Sequence, residues 1–136
     1  MSQAAIRVPV DACLSRIGEL EAAKARIEAR QIEFLARLFD NPPPVPAGTR
    51  HLGATELAQM SITQEVACRL RISYDTAATR MRQASRLVNS FGNTFALLRA
   101  GEISFRHTTA LLDATALLDP AVAGEVEKRV LEKAPD

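Results

Sequence analysis

Residues 64–86 read QEVACRLRISYDTAATRMRQASR, and this stretch decides the fold class. It reads as a helix that ends near Leu70, a tight turn, and a second helix opened by Ser73, whose hydroxyl suits an N-cap. Val66, Ala67, Leu70, Ile72 and Ala77 are apolar or small where two helices joined by so short a turn must face each other. This is the spacing of a helix-turn-helix. On a wheel of about 100° per residue, Ala77, Met81, Ala84, Val88 and Phe91 share one face of the second helix, and Asp75, Thr79, Arg82, Gln83 and Arg86 share the other. Arg71 stands where such turns usually place a glycine.

Outward from this hairpin the punctuation is helical throughout. Asp11, just after Pro9, caps a long amphipathic helix over 11–39, preceded by a tail at 1–10. Asp40-Asn41-Pro42-Pro43-Pro44 stops it, and a proline-rich connector over 40–53 leads to a helical domain over 54–136 that holds the hairpin at 64–90. Thr55 caps a helix to about Leu70, and Ser73 one to about Ser90. Asn93 opens a short helix ended by Gly101, Ser104 caps one to about Leu118, and Asp119-Pro120 starts a last one to about Lys133. Six helices and no period-two alternation give an all-α fold.

Composition narrows the partners. At 136 residues and 47% apolar content the chain has the size and greasiness of one folded domain. Its formal charge is only +1, so net charge names no partner, yet 61–90 holds five arginines against Glu65 and Asp75, a local charge of +3. No apolar run is long enough for a bilayer and no signal-peptide pattern opens the chain, so no membrane partner and a cytoplasmic location are expected. The two cysteines, Cys13 and Cys68, form neither a disulfide framework nor a metal-binding pair, which fits a reducing compartment.

The long helix carries a seven-residue pattern. Cys13, Leu20, Ile27 and Phe34 recur at d-type positions, and Ile17, Lys24, Gln31 and Leu38 at a-type positions between them. Two readings are open: packing of this face on the helix's own domain, or an interface built from Ile17, Leu20, Ile27, Phe34 and Leu38 that pairs the helix with another chain as a homodimer. Lys24 and Gln31 weaken such a seam and can also fix its register.

The outer face of the helix opened by Ser73 also leaves two readings, a solvated surface or a face for double-stranded DNA. In the second, Arg80, Arg82 and Arg86 meet phosphates while Thr79 and Gln83 add polar contacts. Catalysis is not expected. His51 lies in the connector, His107 falls on the stripe of Leu111, Ala114 and Leu118 as an edge-of-core residue, and neither has a second ligand or an orienting partner. No phosphate loop, dinucleotide fingerprint or Ser-His-Asp set occurs, so no cofactor, metal or small-molecule substrate is expected.

Residues 66–135 resemble the actinobacterial 13E12-repeat family, the domain of unknown function 222 found in front of HNH endonuclease modules. The most specific part is Leu98-Arg99-Ala100-Gly101-Glu102-Ile103-Ser104 followed by His107, with Leu118-Asp119-Pro120 and Leu131-Glu132-Lys133-Ala134-Pro135 beyond it. With the Glu/Ala/Arg-rich first helix, the resemblance covers about 11–135. This copy departs from the family at Gly92, near which a proline is usual, and at Thr108, where alanine is usual. The resemblance implies a helical module associated with DNA, with metal-assisted cleavage confined to an HNH module whose residues match nothing here. The stretch 67–107 is similar, more weakly, to the helix-turn-helix region of chromosome-partition proteins. The expectation is therefore a non-catalytic, DNA-associated module. Its alternative is a protein-interaction or dimerisation module working through the first helix without nucleic acid.

Overall fold

Residues 9–44 and 53–133 are described by a computed structural model, and among them the chain forms six helices and no strand. They are α1 (Pro9–Asp40), α2 (Ala54–Leu70), α3 (Tyr74–Ser90), α4 (Gly92–Ala100), α5 (Phe105–Ala114) and α6 (Pro120–Lys133), so the fold is all-α. The tail at 1–8, most of the connector at 45–52 with His51, and 134–136 lie outside the described residues. At the visible edges, Pro9 is already helical, Asp40 is still helical and 41–44 are not.

Helix α1 is the plank on which the rest is laid. Its inward face is made of Ala25, Ala29, Ile32, Leu35 and Ala36, all buried, with Leu38 and Phe39 half-buried beside them. The small side chains allow close approach, and α3 and α4 both pack there. This is not the seven-residue stripe: the helix buries one face and leaves the other in solvent. Residues 10–21 are exposed all round, so about 18 Å of α1 projects beyond the body at 1.5 Å per residue.

The hairpin forms as its pattern requires. Val66, Ala67, Ala77, Met81, Ala84 and Leu87 are buried, and Leu70 and Ile72 pack half-buried on the same core. Arg71 closes α2 in the left-handed region at φ 59°, with its N–H bonded to Cys68 O at 3.3 Å and the Ile72 N–H bonded to Ala67 O at 3.0 Å. Arginine thus takes the conformation in which glycine is usual. Ser73 caps α3 by accepting from Thr76 N at 3.1 Å. At the front of α2, Gly53 rather than Thr55 occupies the cap position, without a side-chain bond.

Two ends are set by distant residues. Helix α4 begins at Gly92, one residue before the expected Asn93, behind buried Phe91, which offers no capping oxygen. Its free N-terminal donors are met from α6, where the buried Glu127 carboxylate accepts from Thr94 N at 3.1 Å and Thr94 Oγ1 at 2.8 Å. At its other end Gly101 is left-handed at φ 78°, and a Cβ there would stand 3.0 Å from Ala22 O and 2.8 Å from Arg26 Nη1 on α1. Conformation and space both demand glycine. Helix α5 stops at Ala114 rather than Leu118. Leu117 and Leu118 are exposed, so another turn would bury nothing, and Thr115 turns back to bond Leu111 O at 2.7 Å.

The C-terminal end of α1 is tied to α3 through Asp40, whose Oδ1 accepts from Ser85 Oγ at 2.6 Å and whose Oδ2 accepts from Asn89 Nδ2 at 3.0 Å. These bonds, Ser85 first, hold its carboxyl below the ordinary value of 3.8. A lowered folded pKa gives stability that is present above the unfolded value and lost as the pH falls through the folded one. Asp40→Asn is therefore expected to lower the melting temperature slightly at pH 7, with the difference from wild type closing below pH ~3.8. The effect should stay under about 1 kcal/mol because the carboxylate faces solvent. A difference that persists unchanged at the lowest pH would assign the effect to packing instead.

Candidate interaction surfaces

The sequence marks two surfaces, the outer face of α3 and the seven-residue stripe of α1. The structure breaks up the first. Arg86 does not point to solvent: its guanidinium donates through Nη1 to Leu112 O at 2.9 Å and through Nη2 to the carbonyl and hydroxyl oxygens of buried Thr115. It also lies 5.3 Å from the centre of the Phe91 ring. The carbonyls at the C-terminus of α5 carry partial negative charge, and a planar cation with several donors suits them. Arg86 is thus a clamp between α3 and α5.

Arg80 is also engaged. Its Nη2 donates to Gln31 Oε1 at 2.9 Å and lies 3.8 Å from Glu28 Oε1, which ties α3 to α1. Gln83 is half-buried, leaving Thr79 and Arg82 as the fully exposed members of the expected DNA set. The wheel of an isolated α3 puts Arg86 beside Thr79. It carries no information on where α5 will lie, and α5 covers only the far end of that face. Arg69 and Arg71, in and just after the last turn of α2, are exposed near the tight turn, and sequence reasoning did not include them in the set. Their signal was present in the local charge of 61–90.

The second surface is intact over most of its length. Ile17 is 62% exposed, Leu20 48%, Ile27 68% and Phe34 52%, and Val10 and Leu14 extend the same exposed file towards the N-terminus. Phe34 carries the Arg37 guanidinium 5.5 Å from its ring centre. Leu38 leaves the set, because it is half-buried against the core, where α1 turns its last apolar residues inward. Gln31, at an a-type position, is held by Arg80. Packing of this stripe on its own domain, one of the two readings of the pattern, is therefore not what α1 does.

His107 is exposed rather than at the edge of the core, with Nδ1 3.0 Å from Ser104 Oγ at the start of α5. Among the described residues no group of three or more His, Cys, Asp or Glu side chains could hold a metal ion, and no helix is long and apolar enough to cross a membrane. Cys13 and Cys68 are free thiols, both exposed.

Comparison with known families finds one match, the family described as Domain of unknown function (DUF222), over residues 14–136. No curated protein and no solved structure matches the chain. The matched span begins in the projecting part of α1 and runs through α6, so it holds the outer face of α3 and the α1 stripe from Ile17 onward, with Val10 and Cys13 ahead of it.

The two arginines of α3 should separate in stability. Arg86→Ala removes the charge-assisted bonds to Leu112 and Thr115 and leaves Leu112 O with only the long 3.5 Å bond from Thr115 Oγ1, an expected loss of about 2 kcal/mol in denaturant unfolding. Arg86→Lys recovers only part of it, since a single ammonium lacks the fork. Arg82→Ala, at an exposed position, changes stability by less than about 0.5 kcal/mol. Equal small effects from Arg82→Ala and Arg86→Ala would show that the clamp contributes nothing.

Proposed function

The chain belongs to the DUF222 family, and on that premise we propose that this member is a non-catalytic helical module that assembles by pairing α1 with α1 of a second copy. One observation carries the reading: a file of apolar side chains from Val10 to Phe34 is exposed on a helix whose other face is already committed to the core. Single exposed apolar residues need no explanation, whereas a contiguous file of them marks a surface that something covers. Its seven-residue period is the one that lets a second helix lie alongside. The role requires no reacting group, and no residue of an HNH metal site is assigned to this chain.

A second reading, contact with duplex DNA through α2 and α3, has its own support in the short turn at Arg71 and the exposed cations Arg69, Arg71 and Arg82. It ranks below the first because Arg80 and Arg86, two of the three expected phosphate contacts, are engaged inside the protein. Pairing through α1 would place two such surfaces in one particle.

Light scattering at tens of micromolar is expected to give a dimer mass for the wild type and a monomer mass for Ile27→Asp, since the aspartate would be buried in the seam without a partner. Ile27 is exposed in the single chain, so the substitution leaves the fold intact. A monomeric wild type overturns the proposal. For the second reading, Arg71→Ala with Arg82→Ala should flatten the slope of log affinity against log salt by about 0.9 per lost contact. Lys128→Ala with Arg129→Ala removes the same charge from α6 and should change it much less. Equal losses in the two double variants would reduce DNA binding to net charge.

A further inference from the structure

We infer that the two copies of α1 lie parallel and in register over residues 10–34, with each Arg16 reaching Glu21 of the other copy and the two Cys13 thiols facing each other on the seam. The inference rests on the self-association reading above and adds to it the direction of pairing. It follows from the residues that flank the exposed file. With Val10, Ile17, Lys24 and Gln31 at a and Cys13, Leu20, Ile27 and Phe34 at d, the g positions are Arg16, Ala23, Arg30 and Arg37, and the e positions are Leu14, Glu21, Glu28 and Leu35. One flank is basic or neutral and the other acidic or neutral. In a parallel pair each g residue lies beside the e residue five places on in the partner, so Arg16 meets Glu21 twice and no like charges meet along the g and e flanks. In an antiparallel pair g faces g and e faces e, so Arg16 cannot reach Glu21 of the partner in any register, and the registers of longest overlap also set arginine against arginine and glutamate against glutamate.

The environment of these groups in the single chain leaves them available. Arg16 and Glu21 are exposed, and each holds only a local surface ion pair, Arg16 with Glu19 at 3.1 Å and Glu21 with Lys24 at 3.3 Å. Such pairs contribute little and exchange readily. Glu28, by contrast, faces Arg80 at 3.8 Å, and Leu35 is buried, so the e flank beyond Ile27 belongs to the domain. Selection of direction therefore falls on the projecting segment, where residues 10–21 are all exposed. Lys24 meeting Lys24 at an a layer costs affinity and favours two strands. A parallel pair also sets both bodies side by side at one end of the coil.

The d layer at Cys13 supplies the test. In a Cys68→Ser background, dissolved oxygen with copper phenanthroline should take two electrons and two protons from the paired Cys13 thiols and give a disulfide-linked dimer on a non-reducing gel. Cys13→Ser should abolish the product, and Ile27→Asp should suppress it. Leu20→Cys in a background of Cys13→Ser and Cys68→Ser repeats the measurement one d layer further along, away from the helix end. Glu21→Arg gives an independent sign. It should weaken association by about fivefold in a parallel pair, with Arg16→Glu restoring it, and leave association unchanged or strengthen it in an antiparallel one. A dimer by light scattering that cross-links at neither position, or that Glu21→Arg leaves unchanged or tightens, overturns the parallel arrangement and leaves self-association standing. A monomeric wild type removes both.

Discussion

The structure depends on a division of labour around one helix: α1 commits a face built on three alanines, with Ile32 and Leu35, to the core and leaves a second file of large apolar residues outward. An amphipathic surface helix ordinarily buries its isoleucines, leucines and phenylalanines and exposes its alanines. Here Ala25, Ala29 and Ala36 lie in the core with Ile32 and Leu35, while Ile17, Leu20, Ile27 and Phe34 face solvent. The inward alanines have a physical purpose, because α3 and α4 both cross the same short length of α1 and large side chains there would hold them apart. Gly101 shows how close the approach is, since even a methyl group would meet the α1 backbone at Ala22. The outward residues have no such purpose inside the monomer. Each is already partly covered, so full burial of each would add roughly 1–2 kcal/mol.

What could be read from the sequence was whatever is decided within a turn or two of the residue concerned. Ser73 announces α3 because its hydroxyl reaches the N–H of Thr76 three residues on. Gly101 ends α4 because only glycine reaches the left-handed region without strain, and the Pro42-Pro43-Pro44 run ends α1 for want of donors. The face of α3 that includes Ala77, Met81 and Ala84 was legible because helical period sorts side chains whatever the partner. In α1 the same period is ambiguous. Two apolar files run along it, the pattern of large residues is the more conspicuous, and only the packing of α3 and α4 shows that the alanine file is the core.

The failures lie where a residue answers to a distant part of the chain. Arg86 reads as a solvent-facing cation on a wheel and becomes a clamp once α5 brings the carbonyls of Leu112 and Thr115 to it. Glu127 reads as one charge among several on a polar last helix, yet it is buried and caps α4 through Thr94. One local signal did point there. The start of α4, Phe91-Gly92-Asn93, offers no oxygen at the cap itself, and an uncapped N-terminus inside a folded domain needs a carboxylate or hydroxyl from elsewhere. The residue that supplies it was not identifiable from spacing, because the loop before α6 sets which carboxylate arrives.

The proposed self-association would also have consequences for the helix itself. The segment 10–21 buries no residue among the described ones, so its helicity is propagated from the anchored half of α1 and rests on the propensity of its Ala, Leu, Glu and Arg residues. Gly18 lies in its middle and opposes that by about 1 kcal/mol relative to alanine. Helix formation in a segment of this length is marginal in water unless an apolar face is covered. Pairing Val10, Cys13, Ile17 and Leu20 across a seam would therefore order the projecting turns as it buries them. The inward alanines, on the other side of the same helix, would keep their partners throughout, so the module can associate and dissociate without opening its core.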